Sequence, residues 1–106
     1  MTNEDFENSR NVILKRCIAE TNRKGPEYAS DDNRLRNFEE IAAVLNISPA
    51  QVAYTFFHKH LNSIQKYVLN PDFDGVEDMT SRFADAINYL IFVNCCIQKA
   101  KNSEKK

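Results

Sequence analysis

Apolar residues recur along this chain at the three- and four-residue spacing of an α-helix, in four segments separated by short polar stretches. The pattern therefore predicts four helices, which cover about residues 3–22, 32–45, 49–69 and 76–101. On the first of them, the apolar face consists of Phe6, Val12, Ile13, Cys17 and Ile18.

Residues that favour helix ends and turns mark the boundaries between these segments. Asp31 or Asp32 can cap the second helix, and Asn46 can end it in the left-handed conformation. The motif Ser48-Pro49-x-Gln51 is a capping box with proline at the first helical position, which predicts the start of the third helix. The other two breaks are predicted at Gly25-Pro26 and at Asn70-Pro71.

Four helices joined by short connections form a bundle, so we expect one compact all-α domain over residues 1–106, with a frayed tail over about 102–106. The fourth helix is apolar on almost all sides from Ala86 to Ile97. Such a helix is either central or covered by another subunit. We therefore predict a homo-oligomer that packs through the last helix.

Composition narrows the classes of function. The formal net charge is −1, so the chain has no overall positive field that would draw it to DNA or to an anionic membrane. The three cysteines form no CxxC pair and are interpreted as small buried apolar residues in a reducing compartment. The N-terminus is polar and acidic, unlike a signal peptide, and the longest apolar run is too short for a membrane span. These features predict a cytoplasmic protein without a membrane partner.

Polar side chains at three places in the apolar pattern are candidate ligand-binding groups. Polar groups in such places need partners, either each other or a ligand. Arginine offers a planar fork for phosphate, and an amide both donates and accepts hydrogen bonds. Because a cation near a helix N-terminus opposes the helix dipole, Arg34 and Arg36 form a local misfit, and misfits tend to mark function. A solvated helix start, in which the two arginines pair with acids such as Asp31 and Asp32, explains them equally well. The candidates are Asn33, Arg34, Asn37, Lys59, His60, Asp85 and Asn88.

A second interpretation is a DNA-binding helix-turn-helix, because Ala42, Asn46 and Val52 have the spacing of that motif. The helix that would enter the major groove has no Lys or Arg before Lys59. Duplex binding draws most of its affinity from phosphate neutralisation, which this face does not supply. We therefore interpret the spacing as a generic capped corner between two helices, and we expect no duplex DNA partner.

A third interpretation is an all-α, Mg²⁺-dependent nucleoside triphosphate pyrophosphohydrolase. Mg²⁺ prefers carboxylates together with substrate phosphates, and Glu39, Glu40, Asp78 and Asp85 lie on two helices. Arg82 stands where a further acid would help, and a surface ion pair between Asp78 and Arg82 is the simpler explanation.

The two histidines do not predict a zinc site. His58 and His60 are two residues apart on a helix, so they face different directions. Zinc helices instead place their histidines four residues apart. We therefore expect no metal ligand among them.

The order of the motifs resembles a known family. Residues 24–93 contain, in order, Tyr28, Asn33-Arg34-Leu35-x-Asn37-Phe38, Ile47-Ser48-Pro49-x-Gln51, Lys59-His60-x-x-Ser63-Ile64 and Asp85-Ala86-Ile87-Asn88-Tyr89-Leu90. This order resembles the small helical phage and prophage proteins of the nucleotide-modification-associated domain family. The resemblance implies an all-α protein of phage origin, connected with nucleotide metabolism in the cytoplasm of an infected bacterial host.

The resemblance also implies one binding site for a nucleotide or a nucleotide-derived signalling molecule. Arg34 and Lys59 would hold phosphate, and Tyr28 would stack on the base. Ser81 or Arg82 stands where the family usually has an acid, so we expect binding without hydrolysis and without a cofactor. Such a protein could sequester a host antiviral signal, whereas Mg²⁺ would be required only by a hydrolase. The implied site residues are Tyr28, Asn33, Arg34, Asn37, Lys59, His60, Asp85 and Asn88.

Overall fold

A computed structural model describes residues 1–24, 33–73 and 78–104 of this chain. These residues form four α-helices and no strand, which confirms the predicted all-α class and the four-helix bundle. None of the described helices combines the length and the apolar character that crossing a membrane requires. The helices are α1 (Asn3–Lys24), α2 (Arg36–Leu45), α3 (Pro49–Leu69) and α4 (Met79–Glu104).

Helix α4 is the central element, because both α1 and α3 pack against it. α3 and α4 run in opposite directions: Val52 near the start of α3 shares a buried cluster with Cys96, whereas His60 lies beside Asp85. α2 packs on α3 and reaches α4 through its side chains. α4 extends through Glu104 and residues 105–106 lie outside the described residues, so the frayed tail over about 102–106 stays a prediction.

Helix α1 packs against α4 alone and runs in the same direction. Arg16 donates a hydrogen bond to Ser81 in the first turn of α4. Further along both helices, Cys17 lies against Ala84 and Asn88. At these positions the contact between α1 and α4 is made by small and polar side chains.

Phe38 of α2 is the centre of an aromatic core. Its ring centroid lies 5.3 Å from that of Phe92 and 6.2 Å from those of Phe56 and Tyr89. Phe38 is 6% exposed, and burying a side chain of this size contributes about 1.5–3 kcal/mol to stability. The other buried members of this cluster are Ala42, Val52, Ala53 and Cys96.

The capping signals between α2 and α3 are confirmed. Ser48 Oγ accepts a hydrogen bond from the Gln51 backbone N–H at 3.1 Å, and Gln51 Oε1 accepts from the Ser48 N–H at 2.8 Å. Asn46 adopts φ 57° and ψ 46°, the left-handed conformation that ends α2. Both signals act within a few residues, which explains why the sequence predicts them correctly.

The predicted start of α2 is wrong, because a turn centred on Asn33 precedes the helix. Asn33 Oδ1 accepts a hydrogen bond from the Leu35 N–H at 3.1 Å, and the Asn33 carbonyl accepts from the Arg36 N–H at 3.2 Å. The helix consequently begins at Arg36. The predicted caps, Asp31 and Asp32, lie outside the described residues.

The predicted start of α4 is also too early. Asp78 Oδ1 accepts a hydrogen bond from the Ser81 N–H at 2.8 Å, the geometry of an N-cap. This bond holds the pKa of the Asp78 carboxyl below its usual value. Asp78 therefore caps a helix that begins at Met79.

The bundle is more open than the predicted compact domain. Its radius of gyration is 16.1 Å, whereas a compact chain of about 100 residues has a value near 13 Å. Residues 1–12 are all exposed, and so are Phe6, Val12 and Ile18 of the predicted apolar face of α1. Only Cys17 of that face is buried, because α1 contacts a single helix. Cys95, predicted to be buried, is exposed.

Candidate ligand-binding site

A cavity of about 100 Å³ lies where the end of α1, the residues leading into α2 and the middle of α4 meet. Its lining includes four of the predicted site residues: Arg34, Asn37, Asp85 and Asn88. The structure thus brings together groups that are up to 54 residues apart in the sequence (Arg34 to Asn88). The other described lining residues are Glu20, Thr21, Phe38, Tyr89 and Phe92.

Helix α4 supplies an aromatic wall and a polar wall to this cavity. Asn88 and Tyr89 lie three and four residues after Asp85, and Phe92 lies four and three residues after them, so all four share one face of the helix. Tyr89 and Phe92 pack against Phe38 and form an aromatic wall that continues into the core. Asp85 and Asn88 add polar groups beside that wall.

Arg34 lies at the C-terminal end of α1. Its Nη2 donates a hydrogen bond to the Thr21 carbonyl at 3.4 Å, in the last turn of that helix. A positive charge is favourable there, because the last four carbonyls of a helix lack intrahelical partners and carry its negative dipole end. Arg34 also lies two residues before the start of α2, so it is near the positive end of that helix, as predicted, while its hydrogen bond to Thr21 lies at the negative end of α1. Arg34 is exposed and lines the cavity.

Asn88 ties α4 to α1 and is 8% exposed. Its Nδ2 donates to the Cys17 carbonyl at 3.1 Å, and the Cys17 thiol donates to the Ala84 carbonyl at 3.7 Å. Burial raises the pKa of that thiol. The Oδ1 of Asn88 accepts no hydrogen bond within the described part of the chain, which leaves this acceptor for a ligand in the cavity.

His60 lies behind the lining rather than in it. Its ring stacks on Tyr89 with centroids 4.9 Å apart, and its Nδ1 lies 3.9 Å from Asp85 Oδ2. Both side chains of this ion pair are about four-fifths buried. His60 thus supports two lining residues, one from each wall of the cavity.

Besides His60, three more of the predicted site residues are not part of the described lining. Lys59 is exposed, with its Nζ 6.0 Å from the centroid of the Phe56 ring. The Asn33 Nδ2 donates to Glu39 Oε1 at 2.6 Å, and its Oδ1 forms the turn before α2. Tyr28 lies outside the described residues.

Two acids considered for a metal site have structural partners instead. Lys99 donates to Glu39 Oε2 at 2.7 Å and, with Asn33, holds the pKa of Glu39 below its usual value of 4.5. Asp78 pairs with Arg16 of α1 at 3.4 Å, in place of the expected pair with Arg82. In the residues that the structure describes, no three His, Cys, Asp or Glu side chains form a group that could hold a metal ion.

Sequence reasoning missed the contribution of α1 to the cavity. Glu20 and Thr21 follow Cys17 by three and four residues, so they continue the face of α1 that meets α4. That spacing was the available signal, but its use requires knowing that Cys17 is the buried residue of α1.

Comparison with known protein families, with curated proteins and with solved structures gives no match for this chain. The case for a function therefore depends on the residues and geometry of the cavity.

Proposed function

We propose that this protein binds a nucleotide or a nucleotide-derived signalling molecule, with the base in the cavity and a phosphate at its mouth. The observation that carries the proposal is that aromatic rings, polar side chains and the Arg34 guanidinium meet in the described lining of a single cavity. Aromatic rings stack with bases of any sequence, and a guanidinium binds phosphate with two parallel hydrogen bonds.

The amides of the cavity have hydrogen-bonding capacity to spare. The side chain of Asn37 makes no hydrogen bond within the described residues, and Asn88 uses only its Nδ2. Each amide can both donate and accept, as recognition of a ribose or a base edge requires. Polar groups that line a cavity without protein partners are suited to hold a ligand.

The proposed biological role is sequestration of a host antiviral signal by a phage protein. This part of the proposal rests on the order of motifs over residues 24–93, which resembles the nucleotide-modification-associated family. It also rests on Ser81 and Arg82, which stand where that family usually has an acid.

The test is isothermal titration calorimetry with nucleoside monophosphates and cyclic dinucleotides, on the wild type and on Arg34→Ala. Arg34→Ala should weaken binding at least tenfold, because it removes the cation at the mouth of the cavity. Its melting temperature should change little, because Arg34 is an exposed surface side chain. Arg10→Ala, which alters an exposed arginine remote from the cavity, should bind as the wild type does.

Two results would contradict the proposal. One is unchanged affinity in Arg34→Ala. The other is a wild-type protein that binds none of these ligands and releases no nucleotide to mass spectrometry when it is denatured after purification.

A second candidate is the Mg²⁺-dependent pyrophosphohydrolase, now with a different acid set. Glu20 and Asp85 both line the cavity, and one or two carboxylates with substrate phosphates are a typical Mg²⁺ environment. Release of pyrophosphate from nucleoside triphosphates in Mg²⁺, lost in Asp85→Asn, would favour this candidate over binding alone. Duplex DNA binding is not proposed, because α3 has no cation before Lys59.

We also propose that a second copy of the chain covers the groove between α1 and α4. Leu14, Ile18 and Ile91 line this groove, and Ile18 is 61% and Ile91 52% exposed. Among the described residues, no large side chain is completely buried. A chain of this length needs to bury most of its apolar surface to be stable, so the single copy buries too little. Contiguous exposed apolar surface of this kind marks an interaction site.

Light scattering after size-exclusion chromatography tests this assembly. Ile91→Glu should dissociate the oligomer, whereas Val44→Glu, at an exposed position of α2 outside the groove, should leave it intact. A wild-type protein that is monomeric at micromolar concentration would contradict the proposal.

A further inference from the structure

Helix α3 carries a second apolar face in addition to the one that packs into the core. We propose that this second face pairs with the same face of another copy of the chain, with the two α3 helices antiparallel. This contact is separate from the proposed nucleotide site and from the groove between α1 and α4.

Two different sets of residues form the two faces of α3. Val52, Ala53 and Phe56 belong to the core, and His60 continues this side by stacking on Tyr89. The second face repeats at alternating spacings of three and four residues, as the seam of a coiled coil does. Its members, which we call the outer seam, are Tyr54, Phe57, Leu61, Ile64 and Val68.

The outer seam lies on the surface of the bundle. Tyr54, Leu61 and Val68 are exposed, and Phe57 and Ile64 are half-buried. The rings of Tyr54 and Phe57 stack on each other with their centroids 5.9 Å apart, so the seam begins with an aromatic pair. Exposed apolar side chains that are contiguous in this way mark an interaction site.

The outer seam carries no charge, which bears on what covers it. The only Lys, Arg, Asp or Glu residues of α3 are Lys59 and Lys66. Each lies two residues from members of the seam, so it points to a different side of the helix. Interface cores are depleted of charged residues and enriched in Tyr and Phe. An uncharged face meets an identical face without like-charge repulsion, whereas it offers nothing that would select a charged partner.

The sizes of the seam residues favour an antiparallel pair of identical helices. Leu61 is in the middle of the seam, seven residues from both Tyr54 and Val68. A two-fold axis at Leu61 places Tyr54 against Val68 of the other copy, while Leu61 meets its own counterpart. Large side chains then fill the space beside small ones, as close packing requires. A parallel pair would instead bring the two tyrosines together and leave a gap between the two valines.

The length of the seam indicates how strong the pairing is. Coiled coils identified by their sequence pattern extend over about three or four heptads, whereas the outer seam covers about two. The packing of α3 on α4 already holds the helix in its folded form, so pairing does not have to form it. The paired surface is small, and we expect association at high micromolar concentration.

Size-exclusion chromatography with light scattering, on the full chain at high micromolar concentration, tests the pair. The Ile91→Glu background removes the contribution of the α1–α4 groove, and this protein should be a dimer. Adding Leu61→Glu should give a folded monomer, because two carboxylates would meet at the axis. Adding Asn62→Glu instead, at the next position and outside the seam, should retain the dimer.

A charge swap at Leu61 tests whether the partner is a second copy. In the same background, Leu61→Lys should also be monomeric alone. An equal mixture of the Leu61→Lys and Leu61→Glu proteins should dimerise more strongly than either component, because unlike charges then meet at the axis. A face that binds a different protein would show no such recovery.

Three results would overturn the inference. They are a monomeric Ile91→Glu protein, a dimer that Leu61→Glu does not dissociate, and a mixture that associates no more than its components. None of them affects the proposed function, because nucleotide binding by Leu61→Glu is measured separately by calorimetry and should equal that of the wild type.

Discussion

The two sides of helix α4 are held by different physical means. On the side of α2 and α3, three aromatic rings pack around Phe38. On the side of α1, the contact consists of Cys17 and Ala84, the hydrogen bond from Asn88, and the ion pair of Arg16 with Asp78. The cavity lies between a firmly packed region and a weakly held helix. Elements with little apolar burial open most easily, so α1 is the part of the site that a ligand would stabilise most.

Among the variants that test this comparison, Phe38→Ala should have the largest effect on stability. It should lower the free energy of unfolding by about 3–5 kcal/mol, because it removes the centre of the aromatic core. Small domains are stable by about 5–15 kcal/mol, so much of the total would be lost. Urea denaturation followed by circular dichroism measures the change. Phe6→Ala, at a position 56% exposed on α1, is the matched control and should cost much less; an equal loss would contradict the comparison.

Asn88→Ala tests the side of α1. It should cost about 1–2 kcal/mol, because a buried amide and its hydrogen bond to Cys17 are removed. The Cys17 carbonyl also accepts a bond from Thr21 Oγ1, which limits the loss. Amide hydrogen exchange should accelerate in α1 more than in α2 or α3. Asn94→Ala, at an exposed position of the same helix, should change neither quantity.

Uniform acceleration of exchange in all four helices of Asn88→Ala would be evidence against two regions of different stability. It would mean that α1 and the aromatic core unfold as one cooperative unit.

Ser48→Ala acts on the firmly packed side without touching the core. It should cost about 1 kcal/mol, because it removes the side chain that caps α3. The first amides of α3 should exchange faster, while α1 should not respond. Ser9→Ala, an exposed serine within α1, provides the comparison. Faster exchange in α1 would show that the two sides of α4 are coupled.

Glu39→Gln should have the smallest effect, below about 1 kcal/mol at neutral pH, because the pair with Lys99 is partly exposed. The Lys99 ammonium lowers the pKa of Glu39 from 4.5. Its stabilisation is therefore complete above the unfolded pKa and disappears as the pH falls through the lower folded pKa. Urea denaturation at about pH 7 and about pH 3 should show the difference between wild type and variant shrinking in acid.

The control for this pH dependence is Glu40→Gln, a neighbouring exposed acid. It should change stability little at either pH. A difference between wild type and Glu39→Gln that persists in acid would mean that the glutamate stabilises the fold by packing rather than by charge.

Local signals explain why much of the fold was predictable. The capping box at Ser48 and the left-handed Asn46 act within one helical turn, so the sequence places the α2–α3 corner correctly. The starts of α2 and α4 were less predictable, because several nearby acids and amides are suitable caps. The structure selects Asn33 for the turn and Asp78 for the cap.

The candidate site was predictable only in part, for a different reason. Arg34, Asn37, Asp85 and Asn88 are polar residues in an apolar pattern, and the structure brings them to one cavity. Lys59 has the same signal but is exposed elsewhere. Sequence pattern shows that a side chain needs a partner and does not show which partner it finds.

The sequence by itself determined the helices and the turn between α2 and α3, because periodicity and capping depend on neighbouring residues. Tertiary structure alone decided that Arg34 meets the end of α1, that Glu20 joins the cavity, and that Asp78 pairs with Arg16. These outcomes depend on how helices distant in sequence pack. Small residues such as Ala84 allow two helices to pack closely together. The residues next to Ala84 in the sequence do not indicate which helix will pack against it.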